Sequence, residues 1–383
     1  MSDSTINLVQ VRRDLHAIPE LALHEVQTQQ YLKKTIATFA SDFLTIKEVP
    51  EVETALLVRL AGMHPQKTIG YRADIDALPI KEETGLPFAS KHPGVMHACG
   101  HDIHMTVALG ILAYFAKNQP KDNLIFIFQP AEESEAGGKR LYEAGALTGD
   151  FKPDELYALH DQPALPAGQI ATKMGTLFAG TTEIHLQVVG QGGHAAYPQQ
   201  AKDALLAACS FVNQVQTVVS RNVNPIHGGV VTIGSFHAGT IGNVIAGEAK
   251  LAGTIRAFTQ TDLELMQKRV RAIAEGIAVA CDVQMNLELI QGGYYPVENN
   301  PKTTAALMAF MEENPEVDFV EAQPAMTGED FGFLLQQFPG TMFWLGVGDP
   351  EHSLHDARLN PDERAINAGV QAMVAYFNQQ MGQ

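Results

Sequence analysis

The chain has 383 residues, 45% of them hydrophobic, with 43 acidic against 26 basic side chains and a formal net charge of -17. That length exceeds the roughly 100 to 200 residues of a single core, so two domains are expected, and the negative field repels phosphate backbones and anionic membranes, which argues against nucleic-acid or membrane partners. No window approaches the roughly 18 apolar residues of a membrane span, and the polar start MSDSTINLVQVRRDL lacks the apolar core of a secretion signal, so the expected location is cytoplasmic.

From the N-terminus to about Phe178 the sequence alternates helix-like and strand-like segments. Short apolar runs, TIGYRADID, NLIFIFQP and ELYALHD, with PGTMFWLGVG late in the chain, read as strands. Between the first two, Ile103, Val107, Ile111 and Tyr114 fall at helical spacing directly after a cluster of histidines. Apolar strands alternating with helices predict an α/β domain around a mostly parallel sheet.

The middle of the chain has a different period. In TEIHLQVV, Ile184, Leu186 and Val188 alternate with Glu183, His185 and Gln187, the pattern of a sheet with one wet face. A helix pattern over about 203–219, strands GVVTIGSF and EAKLAGTIRAF, a second helix carrying Met266, Val270, Ile273 and Ile277, and the alternating DVQMNLELI follow. The order β-α-β-β-α-β is ferredoxin-like. Residues 179–292 are therefore expected to form an α+β lid domain inserted into the α/β domain, which would comprise 1–178 and 293–383. The lid's edge strand offers a surface for pairing across a two-fold axis, as in a homodimer.

Of the three cysteines, Cys209 and Cys281 lie in apolar runs and read as buried, inert thiols, whereas Cys99 sits in MHACGHDIH among His97, His101 and His104. Other metal-type side chains follow predicted strand exits: Asp74 and Asp76, Glu132 and Glu133, His160, and the loop bearing His352 and His355. The carboxyl ends of parallel strands share one edge, where such folds build their sites. Taken singly, the aspartates could cap a turn, the glutamates could be first-turn helix acids and the histidines could be surface residues. Taken together, thiolate, imidazole and carboxylate donors suit zinc and also manganese, cobalt or nickel, in a dinuclear catalytic centre. The pair Glu132 and Glu133 could divide the tasks of ligand and base. A structural zinc site and a metal-buffering protein are the competing readings.

RADIDALP, MHACGHDIH, FQPAEE, ALHDQPALPAG, GGHAAYP, TGEDFG and the late His355 together resemble the metallo-aminoacylase and carboxypeptidase family of amidohydrolases, in its branch with a cysteine metal ligand. The similarity spans essentially the whole chain. It implies that Cys99, His101, Glu133, His160 and His355 hold two divalent metals and that Glu132 is general base and later proton donor. It further implies Asp74 as a catalytic residue, with Asp76 orienting a ligand from behind. His194 is implied to stabilise the tetrahedral oxyanion, Asn243 and Arg256 to bind the substrate carboxylate, and Gly328 to line the pocket. A guanidinium suits that task because its planar fork pairs both carboxylate oxygens. The implied reaction on a small-molecule substrate is deacetylation of N-acetyl-LL-2,6-diaminopimelate to diaminopimelate and acetate, with hippurate, aromatic acyl conjugates or dipeptides as alternatives. One departure stands out: Ser134, Glu135 and Ala136 precede Gly137 and Gly138 where many relatives run straight into glycines.

Overall fold

A computed structural model describes residues 6–39 and 41–382. The described residues form two compact units, one drawn from within 1–177, 297–324 and 333–383, the other from 178–296 and 325–332.

The first unit is built on an eight-stranded mixed sheet. At its centre Asn123–Gln129, Thr68–Asp74, Glu155–Gln162 and Gly340–Gly346 lie side by side and parallel. Antiparallel pairing is confined to the flanks, where Leu56–Leu60 joins Asn123–Gln129 and Ile170–Thr172 joins Gly340–Gly346. The central strands are covered on both faces, which is why they read as unbroken apolar runs rather than alternating ones. Helices Leu8–His16, His101–Lys117 and Arg364–Met381 pack on one another and share a core with this sheet.

Helix His101–Lys117 departs from the amphipathic stripe expected of it. Every residue except Tyr114 and Lys117 is buried, so it is a core helix enclosed on all sides, and Tyr114, expected on the buried stripe, is exposed. Its first turn carries His101, Asp102 and His104 into the protein interior.

The second unit is an antiparallel sheet in the order Gly229–Ala238, Glu248–Ala257, Gly180–Val189, Gln284–Ile290. Helices Ala204–Asn222 and Gln260–Cys281 pack on it through Phe211, Val215, Met266 and Val270. Each helix starts where the sequence supplies a cap: Asp203 accepts the Leu206 amide and Thr259 the Asp262 amide. The unit extends beyond the expected 179–292, taking in 293–296 and the TGEDFG segment, which sequence reasoning assigned to the α/β domain. Hydrogen bonding is the reason: the Ala179 amide donates to the Ala325 carbonyl at 3.0 Å, the Thr181 amide donates to the Tyr294 carbonyl at 2.9 Å, and the Arg256 side chain donates through Nη1 to the Met326 carbonyl at 3.0 Å. Cys209 and Cys281 are half-buried rather than buried. Among the described residues no helix is long and apolar enough to cross a membrane.

Candidate active site

Because the four central strands of the first unit run parallel, their carboxyl ends share one edge, and the loops leaving that edge carry the candidate ligands. Cys99 Sγ lies 3.5 Å from His160 Nε2 and 3.3 Å from His355 Nε2. Glu133 Oε1 lies 3.4 Å from His355 Nε2 and 3.8 Å from His101 Nε2. Two of the donor triads share Cys99: Cys99, His101, His160 and Cys99, Glu133, His355, each with its ligand atoms within 4.8 Å of one another.

Local backbone geometry makes this convergence possible. Gly100 enters the helix in the left-handed region (φ 84°), turning the chain between Cys99 and His101, and a Cβ there would lie 2.1 Å from Asp161 Oδ2. His355 also has a positive φ, 69°, and its amide donates to the Ala98 carbonyl at 2.8 Å, tying the late histidine loop to the cysteine loop.

The residues behind the donors fix which atoms face the site. His101 Nδ1 donates to the Asp76 carbonyl at 2.9 Å and His160 Nδ1 donates to the Asp161 carbonyl at 2.9 Å, which leaves Nε2 of each ring as the atom turned to the centre, where a bound cation would take the place of any proton it carries. Asp76 Oδ2 accepts the Glu133 amide at 2.9 Å, so one residue steadies two donors, His101 through its backbone carbonyl and Glu133 through its carboxylate. Asp74, expected as a catalytic residue, has no exposed surface: Oδ1 accepts from His104 Nδ1 at 2.6 Å, and Oδ2 pairs with Arg72 Nη1 at 2.6 Å and lies 3.7 Å from His101 Nε2. His104 Nε2 accepts the Asp161 amide at 3.0 Å, so both its nitrogens are used and it is unavailable as a ligand.

The electrostatics favour a cation. Burial and the Glu133, Glu132 and Asp74 carboxylates raise the Cys99 thiol well above its ordinary pKa, and against the effect of burial Asp74, Asp76 and Glu133 lift His101 to about 10. Negative charge is in excess at the centre. His101 Nε2 and Glu133 Oε1 are buried polar atoms with no hydrogen-bond partner, and a soft and borderline S, N and O donor set around them fits divalent metals. The two glutamates separate by position: Glu133 joins the Cys99 and His355 triad, whereas Glu132, 4% exposed, lies beside His101 and Glu133.

The remaining expected residues belong to the second unit and fall into two groups. His194, exposed, pairs with Val244 in a short ribbon in which the Ala195 amide donates to the Asn243 carbonyl at 3.1 Å. Arg256 is half-buried, which lowers its pKa, and it donates to the Met326 carbonyl and to Thr181 Oγ1. Gly328 sits against it: a Cβ there would meet Thr181 Oγ1 at 2.7 Å and Arg256 Nη1 at 3.7 Å. His352 instead pairs with Asp349 at 2.9 Å.

Sequence reasoning missed the buried polar groups that support the loops. Arg12 Nε pairs with Asp102 Oδ2 at 2.8 Å, His16 Nδ1 donates to the same oxygen at 2.9 Å, and His16 Nε2 lies 3.3 Å from Glu82. Arg12 and His16, one helical turn apart in RRDLH, were the available signal. His97 is buried under this network, and burial foremost lowers its pKa to about 3.

The model of peptidase family M20/M25/M40 matches residues 70–379. Over 375 residues the chain is 60% identical to a Lactobacillus helveticus (strain DPC 4571) protein named N-acetyldiaminopimelate deacetylase, covering 98% of each chain. A protein of the same name from Oenococcus oeni is 59% identical over 370 residues, 97% of each chain. Among solved structures, the Bacillus subtilis YXEP protein, titled a dinuclear metal binding peptidase from the M20 family, superposes with a TM-score of 0.84 at 30% identity over 98% of both chains.

Proposed function

The chain belongs to peptidase family M20/M25/M40, and from that premise we propose that it is a metal-dependent amidohydrolase that removes the acetyl group of N-acetyl-LL-2,6-diaminopimelate, releasing diaminopimelate and acetate in lysine biosynthesis. The observation that carries this reading is the convergence of Cys99, His101, Glu133, His160 and His355 on one sheet edge, in a chain 60% identical over nearly its full length to a named deacetylase.

Those five residues would hold two divalent ions, one at each triad around Cys99, with zinc, manganese, cobalt and nickel all suited to the donors. Such ions polarise an amide carbonyl and bring the pKa of a bound water from roughly 16 to about 7. The chain's own contribution is proton handling and orientation. Glu132, beside the donors and outside the Cys99 triads, takes the proton from the attacking water and returns it to the leaving amine. Asp76 keeps His101 and Glu133 in register, and Asp74, engaged by His104 and Arg72, acts as a positioning residue rather than touching the reacting atoms. In this reading His194 would donate to the developing oxyanion, and Arg256, with Asn243 and Gly328, would receive the substrate carboxylate.

The enzyme would work in the cytoplasm on a small-molecule substrate, with no nucleic-acid or membrane partner. The edge strands Gly229–Ala238 and Gln284–Ile290 of the lid sheet are the surfaces through which a homodimer would form. A parallel assay of N-acetyl-diaminopimelate, hippurate and dipeptides tests the reading. The acetylated diamino acid should show the highest kcat/KM, and a higher value for hippurate or a dipeptide would replace the proposed substrate.

A further inference from the structure

Glu25 is a carboxylate with no evident business where it stands. It occupies the N-cap position of helix Val26–Ile36, where an acidic side chain ordinarily accepts the helix's own free amides, yet it makes no such bond. It is fully buried, and its two oxygens reach elsewhere: Oε2 accepts the Thr54 hydroxyl at 2.7 Å and Oε1 accepts the backbone amide of Ala131 at 2.9 Å. Burial, with Asp76 nearby, raises its pKa to about 7.

Ala131 is the residue directly before Glu132. It sits in the left-handed region, φ 59°, disfavoured for a residue with a Cβ, and nothing in its own side chain holds it there. The turn is held from outside: the Gly137 amide donates to the Ala131 carbonyl at 3.1 Å, Glu25 accepts the amide of residue 131, and Asp76 accepts the amide of residue 133. Glu132 is thus suspended between two amides, each anchored by a buried carboxylate from another part of the chain. The segment before Glu25 is itself fixed to a strand exit, since the Ala77 amide donates to the Glu20 carbonyl at 2.8 Å and Glu20 Oε2 accepts the Thr28 amide at 2.9 Å.

We infer that Glu25 is a positioning residue for the reaction: by holding the Ala131 amide in the left-handed turn it sets where the Glu132 carboxylate stands, while Asp76 independently sets Glu133. This rests on the assignment of Glu132 as the proton-transferring base. The two anchors are separable, so removing one should disturb proton transfer without emptying the metal centre.

The test compares E25A, E25Q and wild type in kcat, KM, metal content and unfolding midpoint. E25A should lose about 100-fold in kcat, the scale of an ångström-sized misplacement, with KM and metal content unchanged. In E25Q the amide oxygen can accept from Ala131 and the amide nitrogen can donate to Thr54, so most of kcat should return. Wild-type kcat in E25A with only a lowered unfolding midpoint would make Glu25 merely structural and overturn the inference, as would E25Q as slow as E25A. Should E25A fail to fold, T54V decides: it removes the hydroxyl that fixes Oε2, and kcat should fall about fivefold, the scale of one lost hydrogen bond. Wild-type kcat in T54V would then overturn the inference. Wild type inactive on every acylated amino acid would instead refute the functional reading itself.

Discussion

Gly100→Ala adds one methyl group between two candidate ligands, and its cost follows from the local geometry. At φ 84° an alanine is held in left-handed backbone, worth roughly 1–2 kcal/mol. Its Cβ would stand 2.1 Å from Asp161 Oδ2, 2.6 Å from Cγ and 2.9 Å from Cβ. Asp161 has no exposed surface into which to swing, so the overlap must displace either its backbone, whose amide holds His104, or the first turn of helix His101–Lys117. Overpacking of that kind costs about 1–3 kcal/mol, giving roughly 2–5 kcal/mol in all. The same displacement moves Cys99 and His101 relative to each other, so metal affinity should fall along with stability. Denaturant unfolding of the metal-free protein measures the first effect, and competition with a chromophoric chelator measures the second. A metal-free G100A within about 0.5 kcal/mol of wild type and with undiminished metal affinity would refute the argument.

Other outcomes follow from the same geometry. E132Q should keep its metal content and lose about 100- to 10,000-fold in kcat; a variant turning over near the wild-type rate would remove Glu132 as the base. Chelation should abolish turnover but leave a cooperatively unfolding protein, because both units have apolar cores that include no candidate ligand; collapse of the circular dichroism signal would favour a structural metal. Glu82 accepts the Ser90 amide at 2.6 Å and pairs with His16, and despite its burial these contacts lower its pKa from 4.5 to about 2. Its folded-state pKa lies below the unfolded one, so its stabilisation is present above pH 4.5 and lost as the pH falls towards 2. E82Q should therefore flatten the fall in unfolding free energy across that window, and an unchanged slope would refute the assignment.

Much of this was legible along the chain because it is carried by local period and type. Unbroken apolar runs marked the buried central strands, two-residue alternation marked the half-wet sheet of the second unit, and metal-type side chains at strand exits marked the edge on which Cys99, His101, Glu133, His160 and His355 meet. Helix His101–Lys117 was recognisable as a helix, but whether it was half or wholly enclosed depended on the distant helices Leu8–His16 and Arg364–Met381 that cover it. TGEDFG looked like part of the α/β domain until the backbone of Ala179 and the side chain of Arg256 claimed it for the other unit.

What the sequence by itself determined was which residue types line the sheet edge and which segments could reach it, since periodicity and strand polarity are properties of a few adjacent residues. Only the tertiary structure decided what each acid does. Asp74 and Asp76, two positions apart, take different partners, one bound by Arg72 and His104 and the other steadying His101 and Glu133, while Glu25 serves a turn 106 residues away. A carboxylate's task is set by the donors that face it, and those donors arrive from parts of the chain whose approach no local pattern encodes.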